Sequence, residues 1–548
     1  VCLLSKRTFL PVEYTKTQKH SNQMGSLDVY SYCTPGVFLM DLFELLKGDT
    51  AKRLDNYSLK HVCTLYLKET KEDMRYRDIP LYYKTNEGRQ KIASYCLQDS
   101  MLLYQLEKVL MYGTQIGAMS RILTLTSTLV STRGLTYKLI SKVKQYSERY
   151  KFIIPSFTKR QVPTFSGTYQ GATVLDPLTG YYKDPVVCID AASLYPSCMI
   201  KYNLCWTTIG LNASWVSSHA DDVIQINDSF FVKPTVKKGL IPLIQLELAE
   251  QRKHAKKKKS AAPPGSVEEA VFDGEQLSVK VIMNSLYGMC GSPVSMIPCV
   301  EIAAAITRKG RDNLMDVKRY IETDFSTCIN HACTVIYGDT DSLFVNLKGK
   351  SLQEAIEIGM SLEQKITTDV YGGEKTLYFQ YEKTYINFLL VSAKRYAGHK
   401  FETDISKGGK LSCSGLQLQK RDSAELCKYT MKNFFDLIII KGDKEAAAHF
   451  VEEQIKKLFA DEHPLYFFKM TKKISKHANN YKVIPPHIEA WQRQIDRMGV
   501  VQSPAVGEHF HFIITRVNKS KKTMGHAIMD YALAEESPDK NKCMIDKM

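Results

Sequence analysis

Apolar and polar residues alternate along the chain with two periods, one helical and one strand-like. Residues 89–111, RQKIASYCLQDSMLLYQLEKVLM, carry apolar side chains at helical spacing. The helical pattern continues from about 113 to 160 and includes the basic stretch YKLISKVKQYSERYK. Glycine and proline then become frequent in QVPTFSGTYQGATVLDPLTGYY (161–182), a run of turns that marks a boundary. The apolar run Val186 to Ile189 predicts a short strand ending on Asp190, with Pro196 breaking the local structure soon after. From Leu240 a helical pattern runs into EQRKHAKKKK, breaks at SAAPPGS and resumes as VEEAVFDGEQLSVKVIMNSLYG. Two long helices around a Pro-Pro-Gly turn predict an antiparallel helical hairpin. Residues 300–400 alternate helix and strand, including TLYFQYEKTYINFLLVSAKRYAG, and the chain after about 410 is mainly helical and basic. A late strand is predicted at HFHFIIT.

Composition adds scale and sign. At 548 residues the chain is too long for one compact domain, and about three or four are expected. A formal net charge of +16 favours a polyanionic partner, nucleic acid first and an anionic membrane surface second. No apolar run approaches the roughly 18–20 residues of a membrane span. The fourteen cysteines include no CxxC pair; Cys328, His331 and Cys333 lack the second ligand pair of a structural zinc site and read as ordinary reduced positions. The first residue is Val1, and VCLLSKRTFLPV has neither a basic n-region nor a small-residue cleavage site, so the chain reads as a piece of something longer.

The chemistry concentrates in TVIYGDTDSLFVNL (334–347). Two strand-like runs flank Gly-Asp-Thr-Asp, which predicts a tight hairpin holding Asp339 and Asp341 on a rigid turn. Carboxylates held close together repel unless a cation lies between them. Asp190, ending another apolar strand, is the natural partner. Such a set suits Mg²⁺, which takes one or two carboxylates and fills its other positions with water and substrate phosphates. Two ions about 4 Å apart would serve phosphoryl or nucleotidyl transfer. On the helical hairpin, Arg252 and Lys256 share one face, and Lys280, Asn284 and Tyr287 follow i, i+4, i+7 spacing on the second helix. The bland alternative is an exposed basic helix with a buried tyrosine. The sharper one is a phosphate clamp beside a ring that packs on a base.

DAASLYPS (190–197), KVIMNSLYG (280–288) and YGDTDS (337–342) resemble, in order and spacing, the three polymerase motifs of B-family DNA-directed DNA polymerases. TYQGATV (168–174) is similar to the segment linking exonuclease and polymerase domains, and AKRYAG (393–398) to the primer-grip stretch. The resemblance covers nearly the whole chain and looks closest to the replicative delta type and its relatives in large DNA viruses. It implies an α/β multidomain chain with a right-hand polymerase: a palm sheet with a two-aspartate site, helical-hairpin fingers and a mainly helical thumb. The C-terminal portion of a ribonuclease H-like 3′–5′ exonuclease domain would precede these. By the implied boundaries, residues 1–112 are that exonuclease portion and 113–180 a helical connector and linker. The palm takes 181–235 and 289–405, the fingers 236–288 and the thumb 406–548.

By the same resemblance Asp190 and Asp341 would hold two Mg²⁺ ions with the Ala191 carbonyl, and Asp339 would be an accessory acid. Tyr195 looks like the steric gate against a ribose 2′-OH. Ser193, Leu194, Tyr195, Arg252, Lys256, Lys280, Asn284 and Tyr287 would bind the nucleotide. Tyr169, Gly171, Tyr337, Lys394 and Tyr396 would contact DNA. YCLQD (95–99) is similar to the third exonuclease motif through Tyr95 and Asp99, but the two earlier motifs find no match, so the chain as given should lack proofreading. Ala393 stands where the family often has a lysine, and Leu135 where glutamine is frequent. The implied partners are primer–template DNA and dNTPs, with room for a processivity factor and no membrane; nucleus or cytoplasm fits equally. Reverse transcriptases and RNA-dependent polymerases usually place the paired aspartates side by side, whereas Thr340 separates them here. A catalytically inactive DNA-binding homologue would be marked by loss of Asp190 or Asp341.

Overall fold

The computed structural model describes residues 13–21, 25–33 and 36–530, apart from 50–53, 55–56, 70–73, 75–77, 155–168, 211, 293–294, 421, 500–502, 505 and 516–527. The opening twelve residues, the beginning of the Gly/Pro-rich boundary and the tail after 530 lie outside the described residues. The chain divides into two compact units, Val143–Glu247 with Met283–Met548, and Val1–Lys142 with Leu248–Ile282.

The first of these is built on an antiparallel sheet. Its strands are β1 (Gly180–Tyr182), β2 (Val186–Ala191), β3 (Thr334–Asp339), β4 (Ser342–Asn346), β5 (Phe379–Ser392), β6 (Arg395–Phe401) and β7 (Lys410–Ser414). The order is β7-β6-β5-β2-β4-β3, with β1 also paired to β5. β7 continues this sheet past residue 405, beyond the boundary that the resemblance implies for the palm. Apart from Asp190, β2 is apolar because both of its faces are covered. Val187, Ile189 and Ala191 pack with Leu343 and Val345 into one cluster, Val186 and Cys188 with Tyr337, Phe344, Tyr385 and Phe388 into another. That alternation puts Asp190 on the side of Val186 and Cys188.

β2 leads into a short helix α1 (Leu194–Lys201), and the helices α2 (Leu240–Ala261), α3 (Val267–Gly291), α4 (Val300–Tyr320) and α5 (Leu352–Lys365) follow. Pro196 does not break structure, as its type had suggested. It sits in the first turn of α1, where an N–H would have no intrahelical acceptor and its absence costs nothing. α4 and α5 cover one face of the sheet through Leu314, Val317, Ala355 and Leu362. The segment after 410 holds helices Glu425–Phe435, Lys444–Phe459 and Pro486–Met498, and adds a small sheet of Met470–Lys473, His509–Ile514 and Ile528–Asp530.

The other unit opens with a hairpin, Glu13–Ser21 on Gly25–Cys33. Its long helix Asn86–Leu110 buries Leu102, Leu106 and Leu110 against Leu46, Val62 and Tyr112. The helical stretch expected from 113 onward is three helices, Tyr112–Leu123, Ser127–Thr132 and Leu135–Arg149. Met111 and Thr124, both at φ +54°, reverse the backbone between them, and Thr126 caps the next helix through the Leu129 N–H. The outer parts of α2 and α3 belong to this unit. Gly265 supplies the φ of +76° that the Pro-Pro-Gly turn needs. Lys259 and Asp273 pair across the hairpin at 2.7 Å, and Lys258 lies over the Phe272 ring.

Candidate active site

Backbone pairing brings the expected acids together. Asp190 is in register with Ser342, and the Ala191 N–H donates to the Asp341 carbonyl at 2.7 Å. Asp339 faces Ser342 across the β3–β4 hairpin, leaving a two-residue turn of Thr340 and Asp341. Thr340 holds φ +60°, an uncommon conformation for a β-branched residue. Two bonds hold it there: its N–H donates to the Thr173 carbonyl at 3.0 Å, and its hydroxyl to Asp339 Oδ1 at 3.1 Å. Strain thus sits between two site carboxylates, stabilised by the segment before the sheet.

All three acids are half-buried. Burial pushes the Asp341 carboxyl above its ordinary range, and the charges of Asp339 and Glu382 push the same way. Its own backbone N–H and the Lys394 ammonium pull against them. Lys394 grips Asp339 with Nζ at 2.5 and 2.6 Å from its two carboxylate oxygens. A divalent cation would relieve this repulsion, and the two-carboxylate donor set suits Mg²⁺ coordinated also by water and phosphate. Among the described residues no group of three or more His, Cys, Asp or Glu is placed to hold a metal ion by itself.

Glu382 was missed from sequence. It occupies a bulge on β5, where Cys188 pairs with Lys383 and Ile189 with Tyr381, and the extra residue is turned toward the acids. Its carboxylate meets Lys383 at 2.9 Å and the Cys188 thiol at 3.6 Å. The only signal in sequence was an adjacent Glu-Lys pair, the only charged residues of the strand.

After β2, Ser193 takes φ +55° and turns the chain into α1, so that Leu194 is buried and Tyr195 stays half-buried. The Tyr195 and Tyr287 rings lie 4.6 Å apart, and the Tyr287 and Tyr169 hydroxyls are 3.2 Å apart. Gly171 is exposed, with its carbonyl bonded by Arg311 at 2.6 Å. Tyr337 departs from the DNA-contact role expected of it. It is 1% exposed, its hydroxyl accepts the Lys394 N–H at 2.8 Å, and it packs among Phe344, Tyr385 and Tyr396. The position supports Lys394 from below rather than meeting a partner. The Tyr396 ring sits in the same aromatic cluster, 5.3 Å from Phe344.

On the helical hairpin, burial lowers the Lys256 ammonium, and so do the charges of Arg252 and Lys280. Three cations therefore lie within one another's fields, a cluster that favours an anion. Lys280 and Asn284 are exposed along α3.

The sequence profile described as DNA polymerase family B matches residues 108–547. The chain belongs to DNA polymerase family B. Relatives include the DNA polymerase delta catalytic subunits of Plasmodium falciparum (32% identical, 90% of this chain, 45% of the relative) and Glycine max (32%, 93%, 47%). That of Schizosaccharomyces pombe is also 32% identical, over 91% of this chain and 46% of its own length. The chain thus spans about half the length of these relatives. The family B DNA polymerase from the hyperthermophilic archaeon Pyrobaculum calidifontis shares the fold, with a TM-score of 0.59 at 23% identity over 94% of this chain and 62% of that one.

Tyr95 and Asp99, the pair for which the resemblance implies an exonuclease motif, lie outside the matched residues 108–547. Tyr95 and Asp99 are four apart on helix Asn86–Leu110 and so share a face of it. Cys328 is exposed and Cys333 buried, and both are free thiols. Among the described residues no helix is long and apolar enough to cross a membrane.

Proposed function

We propose that the protein catalyses template-directed DNA synthesis, transferring a nucleotidyl group from a dNTP to a primer 3′-OH during replication. The single observation that carries this reading is the register of Asp190 against the 339–342 turn in a family B chain. In this reading Asp190 and Asp341, with the Ala191 carbonyl, hold divalent ions, taken to be Mg²⁺. Bound there, such ions would acidify the primer hydroxyl and neutralise charge on the departing pyrophosphate. Asp339 holds the Lys394 ammonium and keeps it beside the primer end, where Tyr396 supports the same β5–β6 corner. Ser193 and Leu194 turn the chain so that Tyr195 closes the space a 2′-OH would need. Arg252, Lys256, Lys280 and Asn284 take the triphosphate, Tyr287 packs at the base, and Tyr169 and Gly171 meet the template.

Primer–template DNA and dNTPs are the partners this reading requires, and a processivity factor would fit a delta-like replicative role. The eukaryotic relatives support the delta likeness; a viral origin draws nothing from them. Tyr95 and Asp99 carry no activity of their own in this reading. Primer extension tests it. With Mg²⁺ and the four dNTPs, the product should follow the template sequence and stop when EDTA is added. Template-independent addition, or none, would overturn the assignment.

A further inference from the structure

Residues 169–175 form a strap joined to two different elements. At one end the backbone runs beside β3: Val174 bridges Asp339, the Leu175 N–H donates to the Gly338 carbonyl at 2.8 Å, and Thr173 accepts the Thr340 N–H at 3.0 Å. At the other end it is fastened to α4. Arg311 Nη1 donates to the Gln170 carbonyl at 2.7 Å and to the Gly171 carbonyl at 2.6 Å. The buried Thr307 hydroxyl donates to the same Gln170 carbonyl at 2.9 Å. One guanidinium and one hydroxyl therefore satisfy two consecutive carbonyls, with a charge on the donor that makes the bonds strong.

Tyr169 is the residue immediately before this anchor, and its hydroxyl is paired with Tyr287, whose ring lies on Tyr195. Little slack remains around them. A Cβ on Gly291 would come within 2.9 Å of the Tyr169 hydroxyl, and one on Gly310, next to Arg311 on α4, within 3.4 Å of the Tyr195 ring. The helix that holds the strap also abuts the gate tyrosine.

We infer that Arg311 is a positioning residue for nucleotide selection: by fixing the 170–171 backbone to α4 it sets the Tyr169–Tyr287–Tyr195 surface against which the incoming sugar is measured. The inference rests on the polymerase reading. Loss of the anchor lets Tyr169 drift, and with it the ring stack that limits space at the sugar. A displacement of an ångström at such a surface is costly to selection, while the acids on β2 and β3 stay in place.

Two measurements on Arg311→Ala and Arg311→Lys test this. Hydrogen exchange needs no catalysis: the Leu175 and Thr340 amides should exchange about tenfold faster in Arg311→Ala than in wild type, with β2 amides unchanged. In single-nucleotide incorporation, the dNTP-over-rNTP ratio of kcat/KM should fall about tenfold, mainly through a higher KM for dNTP, with kcat within about threefold. Arg311→Lys, which keeps one charged donor, should recover some of the ratio. Unchanged exchange in the strap would refute the anchor, and an unchanged ratio with faster exchange would refute its link to selection. Wild-type protein inert toward both nucleotides would instead remove the polymerase reading and leave the anchor to the exchange data alone.

Discussion

At the scale of single residues, the role of each side chain follows from what it faces. The Tyr195 ring packs on Tyr287 at 4.6 Å, and a Cβ on Gly310 of α4 would come within 3.4 Å of it. Tyr195→Ala should therefore admit ribonucleotides, raising rNTP incorporation relative to dNTP by about tenfold or more; unchanged sugar preference in competition assays would remove Tyr195 as the gate. His399 tests a stability claim. Burial lowers its pKa from the ordinary 6.5, and the backbone of Gly409 opposes that only in part. A depressed histidine contributes stability above its unfolded pKa and loses it as pH falls through the folded one. Melting temperature should accordingly drop between about pH 7.5 and pH 5, and His399→Gln should flatten some of that drop. Asp190, Asp339 and Asp341 stood out as candidates because acids at a strand end and on a tight turn form a local pattern, and Tyr195 only through the resemblance of DAASLYPS to a polymerase motif. Glu382 and Arg311 were not. One owes its aim to a bulge and the other to a contact with a strap some 140 positions earlier, and no local pattern encodes either.

At the scale of elements, the β3–β4 hairpin and the strap behave as one device. Gly338 lets them touch, since a Cβ there would lie 2.8 Å from Leu175 Cδ1 and 2.9 Å from Leu343 Cδ2. Gly338→Ala should push the strap off β3 and destabilise the protein by about 1–3 kcal/mol, measured by denaturant unfolding; wild-type stability would mean the strap gives way freely. Helices α2 and α3 were readable from their length and the Pro-Pro-Gly break between them, and strand β2 from an apolar run that ends on a charge. β7, with the sequence KLSCS, was not. A short polar edge strand takes its structure from pairing with β6, so nothing in its own five residues announces it. The same holds for two strands of the small sheet after 470, Met470–Lys473 and Ile528–Asp530, whereas the strand between them, His509–Ile514, was predicted from HFHFIIT.

At the scale of the whole molecule, a net charge of +16 is the property that bears on partner choice. If the basic surface tracks a phosphate backbone, affinity for primer–template should fall about 10³-fold between 50 and 200 mM salt. Titration by fluorescence anisotropy reads this directly, and a flat salt dependence would place recognition elsewhere. The two compact units interleave along the chain, with the outer helical hairpin grouped with the N-terminal segment, whereas sequence patterns report only local order.

Single-turnover extension of a primer by Asp190→Asn and Asp341→Asn proteins tests the central claim most directly, provided primer–template affinity is measured alongside. Each substitution should slow nucleotide transfer by about 10³-fold or more while affinity stays within about threefold of wild type. Transfer at near wild-type rates by either variant would contradict the account, because the paired carboxylates would then have no role in the chemistry.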